Sequence, residues 1–468
     1  MLSFGQYPDY PHYKVYEEID ITPYLKDGDN ALAIEAWYFG ANTSTYIQGN
    51  AGLWFELSCG EKVLCESNED VLARLSKTYY SHQEKTITPQ IGYSYSYDAI
   101  QEDNWKIQGG KDFLASVSVD RQAPIIKRPI HRLETKMGRA GARIKAEKGR
   151  ILFDFGEELV GIFRLRFSSS ILQNIKICWG EHIVDGWVRD VIDNRDFSID
   201  YRAKTGKNDY LGYFRRLGLR YMEIRYEEEV DELQVEILSR EYPLTEIPFD
   251  CKDEALQRIY NACVKTLKLC LHDHYEDCPW REQALYTMDS RNQMLCGYYA
   301  FKEYDFSRAC LKLMSEDRRT DGLFSICFPA GIDLTIPSFG LHYFTEVREY
   351  ADHSGDWAFI KEIFPKLNTL LLAYERCRTD NGLLPTFEGD NYWNFYEWAE
   401  GLEGTLHSSE SQKTDLVLNC LYSIALQHIA YMCERLGKEN EYQVRALTIN
   451  QIIRDRFFDA QENAYTMY

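Results

Sequence analysis

The spacing of apolar positions changes once, decisively, along this chain. Up to about residue 240, apolar residues come in short runs broken by Gly, Asn, Asp and Pro, the punctuation of antiparallel sheets. Turn-forming residues 24–30 are followed by 31–38, which read as a strand, and 51–57 read as its neighbour. Between 127 and 240, the stretches 151–155, 162–167, 175–179 and 220–226 are strand-like, and several alternate apolar with polar as one-sided sheets do. The pattern breaks at 242–248, which hold two prolines. Beyond it Leu256, Ile259, Tyr260, Cys263 and Leu267 fall at helical spacing. Further helices are expected near Glu282, Asp305, Ser338, Asp356, Lys413 and Glu439, about seven in all. The prediction is a partial N-terminal β-sandwich over 1–115, a second antiparallel β-sandwich over 116–245 and an all-α domain over 246–468. Two long connections, 321–337 and 384–410, are rich in aromatic and acidic residues, and long ordered loops tend to carry function.

Composition narrows the function classes. The chain is 45% hydrophobic and 27% charged, as soluble globular proteins are, and no unbroken apolar run suggests a membrane span. Its net charge of −20 repels phosphate backbones and anionic lipid, so neither nucleic acid nor a membrane is expected as a partner. The opening Met1-Leu2-Ser3-Phe4-Gly5-Gln6 has no basic segment leading into an apolar one, which predicts a cytoplasmic protein. Thirteen cysteines without regular spacing fit reduced side chains better than a disulfide framework. No cofactor is implied, and self-association is left open.

Chemistry concentrates in two segments. In the first, running from His272 to Arg291, Pro279 suggests a helix entry near Trp280 or Arg281. On such a helix Glu282, Tyr286 and Asp289 would share one face at i, i+4 and i+7. That face suits glycoside hydrolysis: an acid for the leaving oxygen, a carboxylate for sugar hydroxyls and a ring for the apolar sugar face. A solvated helix with a glutamate favoured by the dipole accounts for the same residues. His272 and His274, one residue apart, suit zinc only with ligands from elsewhere, and no metal is expected. The second segment, 387–400, interleaves Trp, Tyr and carboxylates, either to grip a sugar or to pack as an aromatic hairpin.

Asp277-Cys278-Pro279-Trp280-Arg281-Glu282, completed by Asp289, resembles the signature that opens the six-hairpin domain of glycoside hydrolase family 78, the bacterial α-L-rhamnosidases. Upstream, Asp154-Phe155-Gly156-Glu157-Glu158-Leu159-Val160-Gly161, Trp179-Gly180-Glu181 and Phe214-Arg215-Arg216-Leu217-Gly218-Leu219-Arg220-Tyr221 are similar to the β-domain preceding that toroid. The resemblance implies two antiparallel β-sandwich domains, jelly-roll or concanavalin-like, followed by an incomplete (α/α)6 six-hairpin toroid. It implies an inverting hydrolase of terminal α-L-rhamnosides, with Glu282 as general acid and Asp277, Arg281 and Asp289 binding rhamnose hydroxyls. Tyr286 stands where the family often has Trp, and Trp393 or Trp398 is expected to supply a second wall. The family's general base comes from a later hairpin. With about seven of about twelve helices expected, the chain reads as truncated at both ends and lacking that base, hence with little or no turnover by itself. No motif supports Glu388, Glu397 or Glu410 in its place. Hydrolysis of another sugar on the same scaffold, or carbohydrate binding without cleavage, are the competing functions.

Overall fold

The computed structural model describes residues 8, 10–81, 85–108, 112–119, 123–317, 319–406 and 411–468. The opening hexapeptide and Glu410 lie outside them. The chain forms two compact units: a β unit of Met1–Tyr242 with Cys278–Gln283, and a helical unit of Pro243–Asp277 with Ala284–Tyr468.

Among its described residues the β unit is organised by one sheet of ten strands. In chain order these are β1 (Tyr79–Tyr80), β2 (Ser96–Asp98), β3 (Glu134–Thr135), β4 (Arg139–Ala140), β5 (Ala142–Glu147), β6 (Arg150–Ser169), β7 (Gln173–Gly180), β8 (Ser198–Ala203), β9 (Gly206–Tyr226) and β10 (Val230–Glu241). They run β3-β10-β6-β9-β7-β8-β2-β1 across the sheet, with β4 beside β10 and β5 beside β6. The four strand-like stretches between 151 and 226 all lie in this sheet. The first two are one strand: β6 continues through a register shift between Asp154 and Leu159, where Gly156 takes φ 81° and Arg220 grips Asp154 with two 3.0 Å bonds. Alternate residues Phe163, Leu165, Ile175, Ile177, Leu219, Met222 and Ile224 are buried into one core.

The expectation fails nearer the N-terminus. Residues 31–38 form no strand, and Leu32, Ile34 and Tyr38 are exposed. Of 51–57 only the last two residues pair, in Glu56–Cys59 against Lys62–Glu66. Alternation marks which side chains share a face, but a strand also needs a partner to take its N–H and C=O groups, and no ladder reaches 31–38. Among the described residues of 1–115 there are short two-stranded pairings and the strands β1 and β2 at one end of the large sheet.

Among its described residues the helical unit contains seven α-helices: α1 (Glu254–Leu269), α2 (Thr287–Ala300), α3 (Asp305–Ser315), α4 (Pro337–Ser354), α5 (Trp357–Glu375), α6 (Leu416–Leu436) and α7 (Tyr442–Phe457). Several starts are set by local chemistry. Asp253 accepts from the amides of Ala255 and Leu256, Asp356 from Phe359 and Asp415 from Leu418. Pro337 opens α4, where its missing N–H costs nothing. The stripe on α1 is only partly a core face. Leu267 is buried, whereas Leu256, Ile259 and Cys263 are exposed. Helix α6 is long and apolar enough to cross a bilayer by length and composition, but 56% of its apolar window is buried among its neighbours, so it serves as a core helix. No disulfide joins any of the thirteen cysteines.

Two histidines in this helical core titrate abnormally. Burial, with Arg291 nearby, holds His342 down to about 4, and burial with Arg348 does the same to His428. Arg348 Nη1 lies 2.9 Å from His428 Nδ1, and a guanidinium can only donate, so this ring nitrogen must be an unprotonated acceptor. In the unfolded chain both rings titrate near 6.5. The resulting stability is fully present above about pH 6.5 and is lost as pH falls toward 4. His428→Gln, which keeps an acceptor, is expected to remove roughly 1–3 kcal/mol of the loss between those pH values, read as a shallower fall in melting temperature on acidification.

Candidate active site

The motif loop is not helical. Pro279–Glu282 form turns, Gln283 is left-handed at φ 54°, and α2 begins only at Thr287 with Tyr286 as an extended N-cap residue. Glu282, Tyr286 and Asp289 therefore do not share a helix face at i, i+4 and i+7. Local hydrogen bonds outcompete a helical turn. Asp277 Oδ1 accepts from the Ala284 amide and Ala284 O from the Asp277 amide, both at 3.0 Å, which pinches the base of the loop. The Gln283 side chain donates to Pro279 O at 2.7 Å and Arg216 O at 3.3 Å, which offsets the cost of an uncommon backbone conformation.

Within the β unit, the segment Cys278–Gln283 is anchored by Trp280. This ring is buried, 4.7 Å from the Phe197 ring and 5.3 Å from that of His182. The backbone of Pro279 and Trp280 lies directly against Gly218 of β9, leaving no room for a Cβ there. Arg281 is exposed and Glu282 half-buried. Glu181, at the end of the Trp179-Gly180-Glu181 stretch, is raised above its usual range by burial, an effect opposed by the charge of Arg281. Sequence reasoning assigned Glu181 no role, because nothing in its spacing links it to a loop a hundred residues away.

Within the helical unit, Tyr286 is linked to Trp393 and Trp398 through the rings of Phe339 and Phe395. Tyr286 is buried, with its ring 6.5 Å from that of Phe339, which is 6.0 Å from Phe395. Phe395 is 5.0 Å from Trp393 and 4.8 Å from Trp398, and the two indoles meet at 5.8 Å. Trp393 is half-buried, its Nε1 donating to Glu403 O at 2.8 Å, whereas Trp398 is 75% exposed and so is the indole with ring surface free for a ligand. The two long connections are stitched at this point. Thr335 N donates to Asn391 O and Trp393 N to Thr335 O, both at 2.9 Å, while Tyr392 OH donates to Asp321 at 3.0 Å. Half-buried Asp289 sits in the first turn of α2, where helix amides favour negative charge. Asp277 is half-buried at the loop base.

The remaining candidates are placed differently. Glu388 and Glu397 are exposed. His274 Nδ1 meets Tyr275 O at 2.7 Å, while His272 lies 3.4 Å from Glu276 and 3.6 Å from Asp273. Among the described residues no three His, Cys, Asp or Glu side chains are grouped as a metal site would require.

Residues 246–467 match the family model of the bacterial alpha-L-rhamnosidase 6 hairpin glycosidase domain. That segment is therefore similar to a bacterial α-L-rhamnosidase domain. An α-L-rhamnosidase of Formosa agariphila is 22% identical over 279 residues, which are 53% of this chain and 28% of that protein. The solved α-L-rhamnosidase of Streptomyces avermitilis, complexed with L-rhamnose, aligns with a TM-score of 0.75 and 17% identity over 98% of this chain and 45% of its own. The family 78 rhamnosidase of Bacillus sp. GL1 gives 0.60 and 24% over 69% of this chain and 34% of its own. The rhamnosidase-type fold of β-rich and helical parts is thus shared, and the chain spans less than half the length of each of these three relatives.

Proposed function

We propose that this chain is the acid-bearing part of an inverting glycosidase that releases terminal α-L-rhamnose. The observation that carries the reading is the match of 246–467 to the rhamnosidase domain, with the Asp277–Glu282 signature inside it. In this reading Glu282 protonates the glycosidic oxygen, and Asp277, Arg281 and Asp289 accept or donate hydrogen bonds to rhamnose hydroxyls. Tyr286 with Trp398 and Trp393 contributes the aromatic wall against which the apolar sugar face packs. The helices are read as part of a six-hairpin toroid and the large sheet as a concanavalin-like sandwich. Inversion requires a second carboxylate roughly 6.5–9.5 Å from the acid to activate water on the opposite face, and neither Glu388 nor Glu397 is assigned that task.

The natural protein that contains this chain is expected to hydrolyse 4-nitrophenyl α-L-rhamnoside in preference to a panel of other nitrophenyl glycosides. Proton NMR of the first product should show β-L-rhamnose. Preference for another glycoside would refute the substrate, first release of the α-anomer would refute inversion, and binding of L-rhamnose without turnover of any glycoside would leave a carbohydrate-binding protein.

A further inference from the structure

Behind Asp289, in the core of the helical unit, sits a carboxyl group that the proposed chemistry does not use. Glu346 of α4 is 1% exposed and Ser290 of α2 is fully buried. Ser290 Oγ lies 2.6 Å from Glu346 Oε1 and 3.1 Å from Thr287 O. A carbonyl only accepts, and a hydroxyl has one proton. The hydroxyl proton can be shared between the two acceptors, but each contact becomes a full two-centre hydrogen bond when Ser290 donates to Thr287 and a protonated Glu346 donates to Ser290. Glu346 Oε2 is buried with no hydrogen-bond partner, tolerable for the carbonyl oxygen of a neutral acid but costly for half of a carboxylate.

The surroundings favour the same form. Asp289, Arg291 and Tyr298 of α2, Cys310 of α3 and Glu349 of α4 interact electrostatically with Glu346, and His342 and Tyr350 lie one turn to either side of it on α4. Arg291 is already committed to Glu349, with Nε–Oε2 at 2.9 Å and Nη2–Oε1 at 2.5 Å. From α6, which also packs on α4, His428 faces Arg348 instead. Burial is the largest influence on Glu346 and pushes its carboxyl well above the usual range; the Ser290 contact and Arg291 oppose the rise, and Glu349 and Asp289 add to it.

We propose that Glu346 is a proton-dependent brace on the site: as the neutral acid it donates to Ser290 and holds the first turn of α2, which starts after Tyr286 and carries Asp289. The link to sugar binding rests on the function proposed above for those two residues. Glu346 is a positioning residue that acts through Ser290. Because its folded form retains the proton to higher pH than the unfolded chain does, the brace contributes fully below the ordinary glutamate range. That contribution declines as pH rises toward the folded value.

The test compares wild type with Glu346→Gln, whose amide donates to Ser290 without titrating, and with Ser290→Ala, which removes the acceptor. Melting temperatures from pH 5 to 9 should diverge, the Gln variant gaining on wild type by roughly 3–5 °C per pH unit while the wild-type acid stays protonated. Hydrogen exchange in the first turn of α2, corrected for intrinsic rate, should quicken at alkaline pH in wild type, stay slow in the Gln variant and be fast at every pH in Ser290→Ala. L-Rhamnose affinity should fall with rising pH in wild type and stay level in the Gln variant. Parallel melting of wild type and Gln variant across the range would overturn the brace. If neither binds L-rhamnose at any pH, the proposed function fails, and melting and exchange still decide the brace.

Discussion

Glu282→Gln, made in the natural protein that contains this chain, is expected to lower kcat on alkyl α-L-rhamnosides by roughly 10²–10⁴-fold, the usual contribution of a general acid. The replacement keeps size and hydrogen-bonding capacity but has no proton to give. L-Rhamnose affinity should therefore stay within a few-fold of wild type, since rhamnose itself has no leaving group to protonate. A nitrophenolate needs little help in departing, so the loss should be smaller on 4-nitrophenyl rhamnoside than on an alkyl rhamnoside. This leaving-group dependence separates a lost acid from a disturbed fold, which would slow both substrates alike. A variant that retains wild-type kcat on the alkyl rhamnoside would remove Glu282 from the mechanism.

How much of this was legible in the sequence depended on whether the signal was local. The helices α3 to α7 announced themselves because apolar period and caps such as Asp356 and Asp415 lie within a few residues of one another. Strands β6, β7 and β9 were legible through alternation, though not that two readings were one strand bent at Gly156, since a bulge is defined by the partner strand. Residues 31–38 show the limit of that signal, because periodicity names a face and not a partner. At the site, Pro279 misled. Proline starts helices and turns alike, and the outcome was set by Ala284 bonding to the Asp277 carboxylate and by Gln283 going left-handed. The signature named Asp277, Arg281, Glu282 and Asp289 as candidates, but not the backbone that presents them. Glu346 gave no sequence signal, because what singles it out is burial against Ser290 from another helix.

Gly218→Ala is expected to injure activity from a strand that bears no catalytic group. A Cβ at Gly218 would lie 2.2 Å from Pro279 O, 2.5 Å from Pro279 C and 2.9 Å from Trp280 N, all backbone atoms that no side-chain rotation can clear. On one side Gly218 is fixed in β9, paired with Val160 of β6; on the other, Trp280 is wedged against Phe197. The loop must then move by about 1 Å to restore van der Waals distance, and a misplacement of that size at catalytic groups can cost about 10²-fold in rate. Overpacking of this kind should also remove about 1–3 kcal/mol of stability. Gly297→Ala in α2 is the control, since its Cβ would meet nothing closer than Tyr275 Oη at 3.6 Å. Replacing a helical glycine there should stabilise by about 0.5–1 kcal/mol and leave kinetics unchanged. Melting curves and rhamnoside kinetics on the two variants decide the matter. If Gly218→Ala matches wild type in both, the loop bearing Arg281 and Glu282 is not pinned by β9, and the close approach of Gly218 has no part in placing the acid.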